Sequence, residues 1–237
     1  MTRVAVFRTP APLSNLSGVP RFKVLRYALP VFSPRPTRPM SYLHDIFLSY
    51  SRKEPVLRWV RDCFKRRLEE WLGETMEETP RIFRDEESLE TGTTWPLALR
   101  EGLHRSRVVV AVLSPSYFRS PWCCAEWTSI RQREKQLGLR THAATRGLIY
   151  PVCFSDGDCF PPDVQDIQHK DLRAWNRASP AFERTEAYHD FLSVMQGVAI
   201  ELAALLKTVP AWQEDFPMLL PETAEGITRV AMEVPRL

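Results

Sequence analysis

The residues with the clearest chemical potential are a tryptophan and a glutamate four positions apart. Ser120 is a typical helix N-cap residue and Pro121 suits a first helical position, so a helix starting here places Trp122 and Glu126 on one face. A carboxylate can stabilise developing positive charge, and an aromatic face attracts a cation. The same spacing also fits a packed tryptophan beside a surface glutamate, because such pairs are common on helices.

Two other segments carry polar side chains after short apolar runs. The first is Ser49-Tyr50-Ser51-Arg52, and the second is the acidic stretch from Arg84 to Thr94, which on its charges alone is typical of a solvated turn. Neither segment contains a GxGxxG motif or a Walker lysine, so the sequence gives no phosphate-binding loop of the Rossmann or P-loop kind. A dinucleotide-dependent dehydrogenase is therefore disfavoured.

The elements that position these residues alternate between strand and helix patterns. Apolar runs DIFLSY, RIF, RVVVAVLS and GLIYPVCF are separated by amphipathic stretches at about 55–72, 95–104 and 116–137. A short fifth strand is predicted near Lys170 to Trp175, and a helix from about Thr185 to Leu206. Runs without polar alternation are typical of parallel strands covered on both faces. The predicted fold class is α/β, a flavodoxin-like open sandwich of about five parallel strands flanked by helices.

In such a sheet, ligands bind beyond the carboxyl ends of the strands, where neighbouring crossovers leave to opposite faces. The segments after the first, second and third predicted strands contain the polar residues described above. The fold prediction therefore brings Ser49 to Arg52, Arg84 to Thr94 and Ser114 to Glu126 to one edge of the sheet.

The two ends of the chain differ from this central part. No acidic residue precedes Asp45, and seven prolines interrupt the same stretch: Pro10, Pro12, Pro20, Pro30, Pro34, Pro36 and Pro39. Residues 1–43 are predicted to be a disordered basic tail, or in part a sequence upstream of a true start at Met40. Residues 44–206 form the predicted domain, and 207–237 a proline-containing extension that is irregular on the surface or disordered.

Composition excludes several classes of function. A formal net charge of +3 gives no electrostatic argument for nucleic acid or for an anionic membrane. Five cysteines without a CxxC pair indicate a reducing, cytoplasmic setting, and the scattered histidines predict no metal site. The most apolar stretch, Phe191 to Leu206, is interrupted by polar residues and is predicted to be a core helix, not a membrane span.

Four segments in this order resemble the successive boxes of TIR domains. They are HDIFLSYS (44–51), FRDEESLETGTTW (83–95), VVVAVLSPSY (108–117) and SPWCCAEW (120–127). The resemblance extends over about 160 residues, from 44 to 206. The WCxxE form and the spacing from Gly92 to Trp95 are more similar to bacterial TIR proteins than to animal receptor adaptors.

The resemblance implies an enzyme that cleaves NAD+ between nicotinamide and ribose, with Glu126 of the WxxxE pattern as the catalytic residue. NAD+ is then the substrate, and no cofactor is expected. It also implies a mobile BB loop from Asp85 to Trp95 that gates the pocket and contacts neighbouring protomers. The implied NAD+-binding residues are Tyr50, Ser51, Arg52, Phe83, Asp85, Leu89, Gly92, Trp95 and Trp122. Ser51 departs from the family, which often has a second basic residue there.

Three functions remain open from the sequence. The first is an NAD+ nucleosidase, active when oligomerised in a bacterial antiphage defence or signalling system; the second is a noncatalytic TIR adaptor, and the third a small nucleotide-binding regulator. The product can be ADP-ribose, a cyclic isomer or a base-exchanged conjugate. Expected partners are NAD+, further copies in a homo-oligomer or filament, and a separate sensor or effector protein.

Overall fold

The computed structural model describes residues 41–83, 95–155 and 160–221. Residues 1–40 of the predicted tail, most of the BB loop and the last residues, 222–237, lie outside these ranges. The domain boundaries at 43 and 207 stay predictions. Within the described ranges the strands are β1 (His44–Tyr50), β2 (Ile82–Phe83), β3 (Ser106–Leu113), β4 (Ile149–Cys153) and β5 (Lys170–Asp171).

The helices of the described residues are α1 (Val56–Trp59), α2 (Lys65–Thr75), α3 (Trp95–His104), α4 (Pro115–Phe118), α5 (Pro121–Gln136), α6 (Pro162–Gln165) and α7 (Glu186–Leu206). A π-helical segment, Val60–Phe64, joins α1 to α2. The amphipathic stretch predicted at 116–137 is two helices, because Ser120 leaves the helical conformation and caps the second one. The fifth strand is shorter than predicted and continues as a 3-10 turn, Arg173–Trp175.

The sheet has the order β2-β1-β3-β4-β5, and every neighbouring pair is parallel. This order confirms the predicted flavodoxin-like winding. The chain moves from β1 outward to β2 and then returns to β3 on the other side of β1. The crevice expected of such a sheet therefore opens at the carboxyl ends of β1 and β3, next to Ser49 and Leu113.

Alternate residues of the strands build two separate cores. Ile46, Val108 and Val110 face the layer formed by α1, α2 and α7. Phe47, Val109 and Ala111 face the layer formed by α3, α4, α5 and α6. Because side chains alternate along a strand, Ser49 shares the face of Phe47 and is directed towards the layer that contains α5.

Helix α7 is the one helix of the described residues that is long and apolar enough to cross a membrane. Its residues Phe191, Met195, Val198 and Leu202 are buried against the sheet in the first core. The predicted role as a core helix accounts for this apolar face, since a soluble α/β domain must cover both faces of a parallel sheet.

Residues 207–221, which we call the C-terminal strap, are irregular and pack on α3 and α5. Trp212 donates from Nε1 to the carbonyl of His104 (3.2 Å), and Leu219 donates from its backbone nitrogen to Ser129 Oγ (2.8 Å). The Phe216 ring covers the fully buried guanidinium of Arg133, with 4.4 Å from Cζ to the ring centroid. The described part of the predicted extension therefore lies on the surface of the domain as a packed segment.

Arg133 links the end of α3 to the start of β3 through hydrogen bonds. Its guanidinium donates to the carbonyls of Ser106 (3.0 Å) and Leu103 (3.2 Å). Burial lowers the pKa of Arg133 to about 10, so the side chain stays charged at neutral pH. The carbonyl oxygens at a helix C-terminus carry partial negative charge, which favours a cation at this position.

Replacement of Gly102 by alanine is expected to destabilise the fold by about 1–3 kcal/mol. A Cβ at Gly102 would lie 2.4 Å from the Phe83 ring, and that ring cannot retreat freely because it stacks on Phe47, with 5.2 Å between centroids. Urea unfolding followed by circular dichroism measures the change. Gly73→Ala is the matched control, because nothing lies within 4 Å of its Cβ position in α2. An equal loss in both variants would contradict the packing explanation.

Candidate functional site

Helix α5 presents its first turns at the crevice, as the sequence predicts. The Ser120 hydroxyl accepts a hydrogen bond from the backbone nitrogen of Cys123 (3.4 Å), and Pro121 occupies the first helical turn. This cap fixes where the helix begins. Trp122 and Glu126 consequently lie one turn apart on the helix face that meets the end of β1.

Glu126 is held by a serine hydroxyl, which in turn contacts a tyrosine hydroxyl. Ser49, at the end of β1, donates from Oγ to Glu126 Oε2 at 2.6 Å. The Tyr117 hydroxyl, on α4, lies 2.8 Å from the same Ser49 Oγ. Ser49 and Tyr117 are both buried, so this chain of three side chains reaches from the core to the crevice.

The environment of Glu126 makes its carboxyl a weaker acid than usual. Burial is the main cause and raises the pKa of Glu126 to about 7, whereas the Ser49 hydrogen bond and the positive charge of Arg52 act in the opposite direction. A carboxyl group with this pKa changes its ionisation in the physiological range. Strongly shifted carboxyl groups in clefts are frequent at functional sites.

A cleft of about 100 Å³ lies beside this carboxylate. Its lining combines β1 and the following residues (Phe47, Leu48, Ser49, Tyr50, Arg52), one residue of α3 (Leu99), and the start of α5 (Ser120, Trp122, Cys123, Glu126). A small cavity with an aromatic wall, one carboxylate and one arginine suits a cationic ring attached to a hydroxylated group. Ligand pockets are usually larger, about 300–1,000 Å³.

The structure brings four of the predicted site residues to the cleft: Tyr50, Arg52, Trp122 and Glu126. The Tyr50 carbonyl accepts a hydrogen bond from the Cys123 thiol (3.5 Å), while the Tyr50 side chain packs against the first core on the opposite face of the sheet.

Two other predicted site residues do not line this cleft. Ser51 is buried, and its hydroxyl accepts a hydrogen bond from the Lys53 nitrogen (3.4 Å). Phe83 packs in the second core against Phe47. Asp85, Leu89, Gly92 and the side chain of Trp95 lie outside the part of the chain that the structure describes, so their predicted contacts with NAD+ remain predictions.

Sequence reasoning missed the hydroxyl partner of Glu126, Ser49, and the tyrosine that contacts it, Tyr117. The sequence marks Ser49 only as a strand-end residue, and Tyr117 only as part of a segment that resembles a TIR box. The signal for Ser49 is the alternation of the strand, which turns Ser49 towards α5 and the neighbouring Tyr50 side chain away from it. The sequence has no comparable signal for Tyr117, because its contact depends on how α4 folds back over β1.

Two neighbouring cysteines beside the site behave as packing residues. Burial is the main reason that the pKa of the Cys123 thiol is raised to about 12, and burial also raises the pKa of Cys124. A reactive thiol requires a lowered pKa and access to solvent. The geometry thus favours packing over redox sensitivity, the two alternatives for this pair.

The comparisons with known proteins give the family. A model described as TIR domain matches residues 46–185, which is more than half of the chain. With its 2-1-3-4-5 parallel sheet and a glutamate at the crevice, the fold is that of a TIR domain, and the chain belongs to the TIR domain family. A search of curated proteins found no match.

Two solved structures illustrate how distant the similarities are. The TIR domain of the Toll-related receptor TRR-2 from Hydra magnipapillata is 15% identical, with 65% of this chain and 98% of that chain covered and a TM-score of 0.38. The TIR domains of the activated Roq1 resistosome, which directly recognises the pathogen effector XopQ, are 20% identical, with 68% and 84% covered and a TM-score of 0.36.

Proposed function

We propose that this protein is a cytoplasmic NAD+ nucleosidase that cleaves the bond between nicotinamide and ribose, with Glu126 as the catalytic residue. The observation that carries the proposal is the partly buried Glu126 carboxylate, held by Ser49 at 2.6 Å in a cleft that Trp122 and Arg52 also line. The resemblance of the WCxxE motif to bacterial TIR proteins supports the same assignment and a bacterial type.

The chemistry requires little more than this cleft provides. Nicotinamide leaves as a neutral base, because the bonding electron pair neutralises its cationic ring nitrogen. Positive charge then develops on the ribose as an oxocarbenium ion, which the ionised Glu126 stabilises. Water, an adenine nitrogen or another base then forms a bond to the ribose carbon from which nicotinamide has left. Trp122 contributes an aromatic wall that attracts the pyridinium ring before cleavage.

The size of the cleft supports an active state with more than one chain. A cavity of about 100 Å³ can enclose only a small part of a dinucleotide, and we assign it to the nicotinamide end. The adenosine end then requires contacts outside this cleft. We propose that a neighbouring protomer supplies them through TIR–TIR contacts, in a head-to-tail arrangement that can extend into a filament.

Nicotinamide release per chain is therefore expected to rise with protein concentration. Serial dilutions of the purified protein with excess NAD+ are assayed by chromatography, and the oligomeric state is measured by light scattering in the same samples. We expect release to increase at least tenfold per chain between monomeric and assembled samples, because assembly completes the pocket. A stable monomer with the full rate per chain would contradict the requirement for assembly.

Mass spectrometry of the products separates two biological roles within the proposal. ADP-ribose alone indicates depletion of NAD+, whereas a cyclic isomer indicates synthesis of a signal for a separate effector protein. Either role fits a defence or signalling system. A noncatalytic adaptor would release no nicotinamide under any of these conditions.

A further inference from the structure

The hydroxyl groups of Ser49 and Tyr117 have no part in the chemistry described so far, although they form a continuous hydrogen-bonded chain with Glu126. Ser49 has one hydroxyl hydrogen, and it donates this hydrogen to Glu126 Oε2 (2.6 Å). The 2.8 Å contact between Ser49 Oγ and the Tyr117 hydroxyl must then have tyrosine as the donor. The direction of the chain is fixed from Tyr117 to Ser49 to Glu126.

This direction disfavours a proton on Oε2 of Glu126. Protonation at Oε2 would turn the carboxyl into a donor towards Ser49, and Ser49 into a donor towards Tyr117. The Tyr117 hydroxyl hydrogen would then have no acceptor among the described residues, in a side chain with 0% exposure. Because an unpaired buried donor is unfavourable, a proton on Glu126 would go to Oε1, and Oε2 would then accept from Ser49 as an uncharged oxygen. An ionised acceptor makes a stronger hydrogen bond than an uncharged one, so the Ser49 hydrogen bond favours the carboxylate over the carboxylic acid.

Tyr117 can serve as a permanent donor because its own ionisation is suppressed. Burial is the largest cause of the raised pKa of the Tyr117 hydroxyl, and the nearby Cys123 thiol and Glu126 act in the same direction. The other groups that face Glu126 are Arg52, which favours the carboxylate, and Cys123, whose buried thiol remains protonated.

We propose that Ser49 and Tyr117 are positioning residues that favour the ionised form of Glu126 against the effect of burial and fix its carboxylate by one oxygen, Oε2. The other oxygen, Oε1, has no hydrogen bond to the described residues and is left for the ribose. This inference rests on the proposed function, because it names two further residues that act on the same site. It adds the requirement that buried residues of the core favour the ionised form of Glu126 and fix the position of its carboxylate.

The test is the pH dependence of kcat/KM for nicotinamide release, measured for the wild-type protein, Ser49→Ala and Tyr117→Phe. The wild-type rate is expected to rise with pH through about 7, the pKa to which burial raises Glu126. Loss of the Ser49 donor is expected to move this rise upward by about one pH unit. Tyr117→Phe should move it in the same direction by less, because Ser49 still donates to Glu126.

A role in ionisation predicts a deficit that depends on pH. The rate of Ser49→Ala relative to wild type should be about tenfold lower at pH 6 than at pH 9, because at pH 9 the carboxyl is ionised in both proteins and only its fixed position is lost. A merely structural role would lower the rate equally at every pH. The controls are Ser106→Ala, a buried serine that donates to the Gly102 carbonyl (2.6 Å), and Tyr188→Phe, whose hydroxyl accepts from Arg67 (2.6 Å). Neither should shift the profile.

A second measurement does not depend on turnover. Carbon-13 NMR of labelled glutamate gives the pKa of the Glu126 carboxyl directly, with the signal assigned by its loss in Glu126→Gln. An upward shift in Ser49→Ala supports the chain, and an unchanged pKa overturns it even if the protein releases nicotinamide. If the wild-type protein releases no nicotinamide, the proposed function fails, and the NMR shift still decides whether the hydroxyl chain controls the proton.

Discussion

Glu126→Gln is expected to release nicotinamide from NAD+ at least about 100-fold more slowly than the wild-type protein. Glutamine has nearly the same shape, and its side-chain oxygen can still accept the hydrogen bond that Ser49 makes at 2.6 Å. The variant thus removes the negative charge and leaves the cleft in place. Because only the charge stabilises the oxocarbenium ion, the loss should appear in kcat and not only in KM.

The same variant should be more stable than the wild type at pH 8. The folded-state pKa of Glu126 is raised from its ordinary 4.5 to about 7, so folding at high pH requires the ionisation of a carboxyl that the fold disfavours. That penalty is absent below the ordinary pKa and fully present above about 7. Its size is about 3 kcal/mol, from about 1.4 kcal/mol for each pKa unit.

Thermal unfolding at pH 8 and at pH 5 measures this effect without NAD+. Glu126→Gln should melt higher than wild type at pH 8, and the difference should shrink towards pH 5 because the wild-type carboxyl is then protonated in the folded state. A destabilised variant at pH 8 would show that Glu126 is a structural carboxylate. A structural role for Glu126 cannot explain a loss of nicotinamide release together with a gain in stability. That pair of results would indicate a functional site.

Glu134→Ala, two helical turns further along α5, is expected to destabilise the protein by about 3–5 kcal/mol. The Glu134 carboxylate is 1% exposed and accepts hydrogen bonds from the backbone nitrogens of Leu148 (2.6 Å) and Ile149 (3.1 Å), which begin β4. It also pairs with Arg131 (2.6 Å) and Arg140 (2.9 Å). Removing it leaves buried donors and a half-buried cationic cluster without their common acceptor.

Urea unfolding of Glu134→Ala beside Glu201→Ala provides the comparison. Glu201 also pairs with a cation, Lys170 at 2.8 Å, but its side chain is 50% exposed, so its loss should cost about 1 kcal/mol or less. Similar losses in the two variants would contradict the role of Glu134 as the carboxylate that fastens β4 to α5. Of the two glutamates on α5, replacement of Glu126 by glutamine is thus expected to stabilise the protein at pH 8, and replacement of Glu134 by alanine to destabilise it.

The fold was accessible from the sequence because its signals are local and repeated. Val108 to Leu113 has no polar alternation, which indicates a strand buried on both faces, and Ser120-Pro121 marks the start of α5. The strand order follows from general rules for βαβ connections. These features do not require knowledge of any contact between distant residues.

The candidate site was accessible only in part. Glu126 and Trp122 are neighbours on one helix, so their spacing brings them together whatever the rest of the chain does. Ser49 reaches Glu126 across 77 positions of sequence, and Tyr117 reaches Ser49 across 68, through the register of β1 and the short helix α4. A hydroxyl group in a buried strand can hydrogen-bond with many kinds of partner, and tertiary packing decides which of them lies within reach.

Tyr50, Ser51 and Arg52 are consecutive in sequence, and the sequence alone did not predict which of them line the cleft. Consecutive strand-end residues do not share one environment: the Tyr50 side chain packs on the face opposite Ser49, and Ser51 accepts from the backbone of Lys53. Membership in a sequence motif therefore indicates proximity to the crevice, whereas contact with a ligand depends on the direction of each side chain.

The central claim is that the Glu126 carboxylate enables cleavage of NAD+. Its most direct test is the amount of nicotinamide released from NAD+ at pH 8 by assembled wild-type protein and by Glu126→Gln at the same concentration, quantified by chromatography. The wild-type protein is expected to release nicotinamide over many turnovers, and Glu126→Gln to release almost none although it is folded and assembled. Equal release by the two proteins would contradict the catalytic role of Glu126.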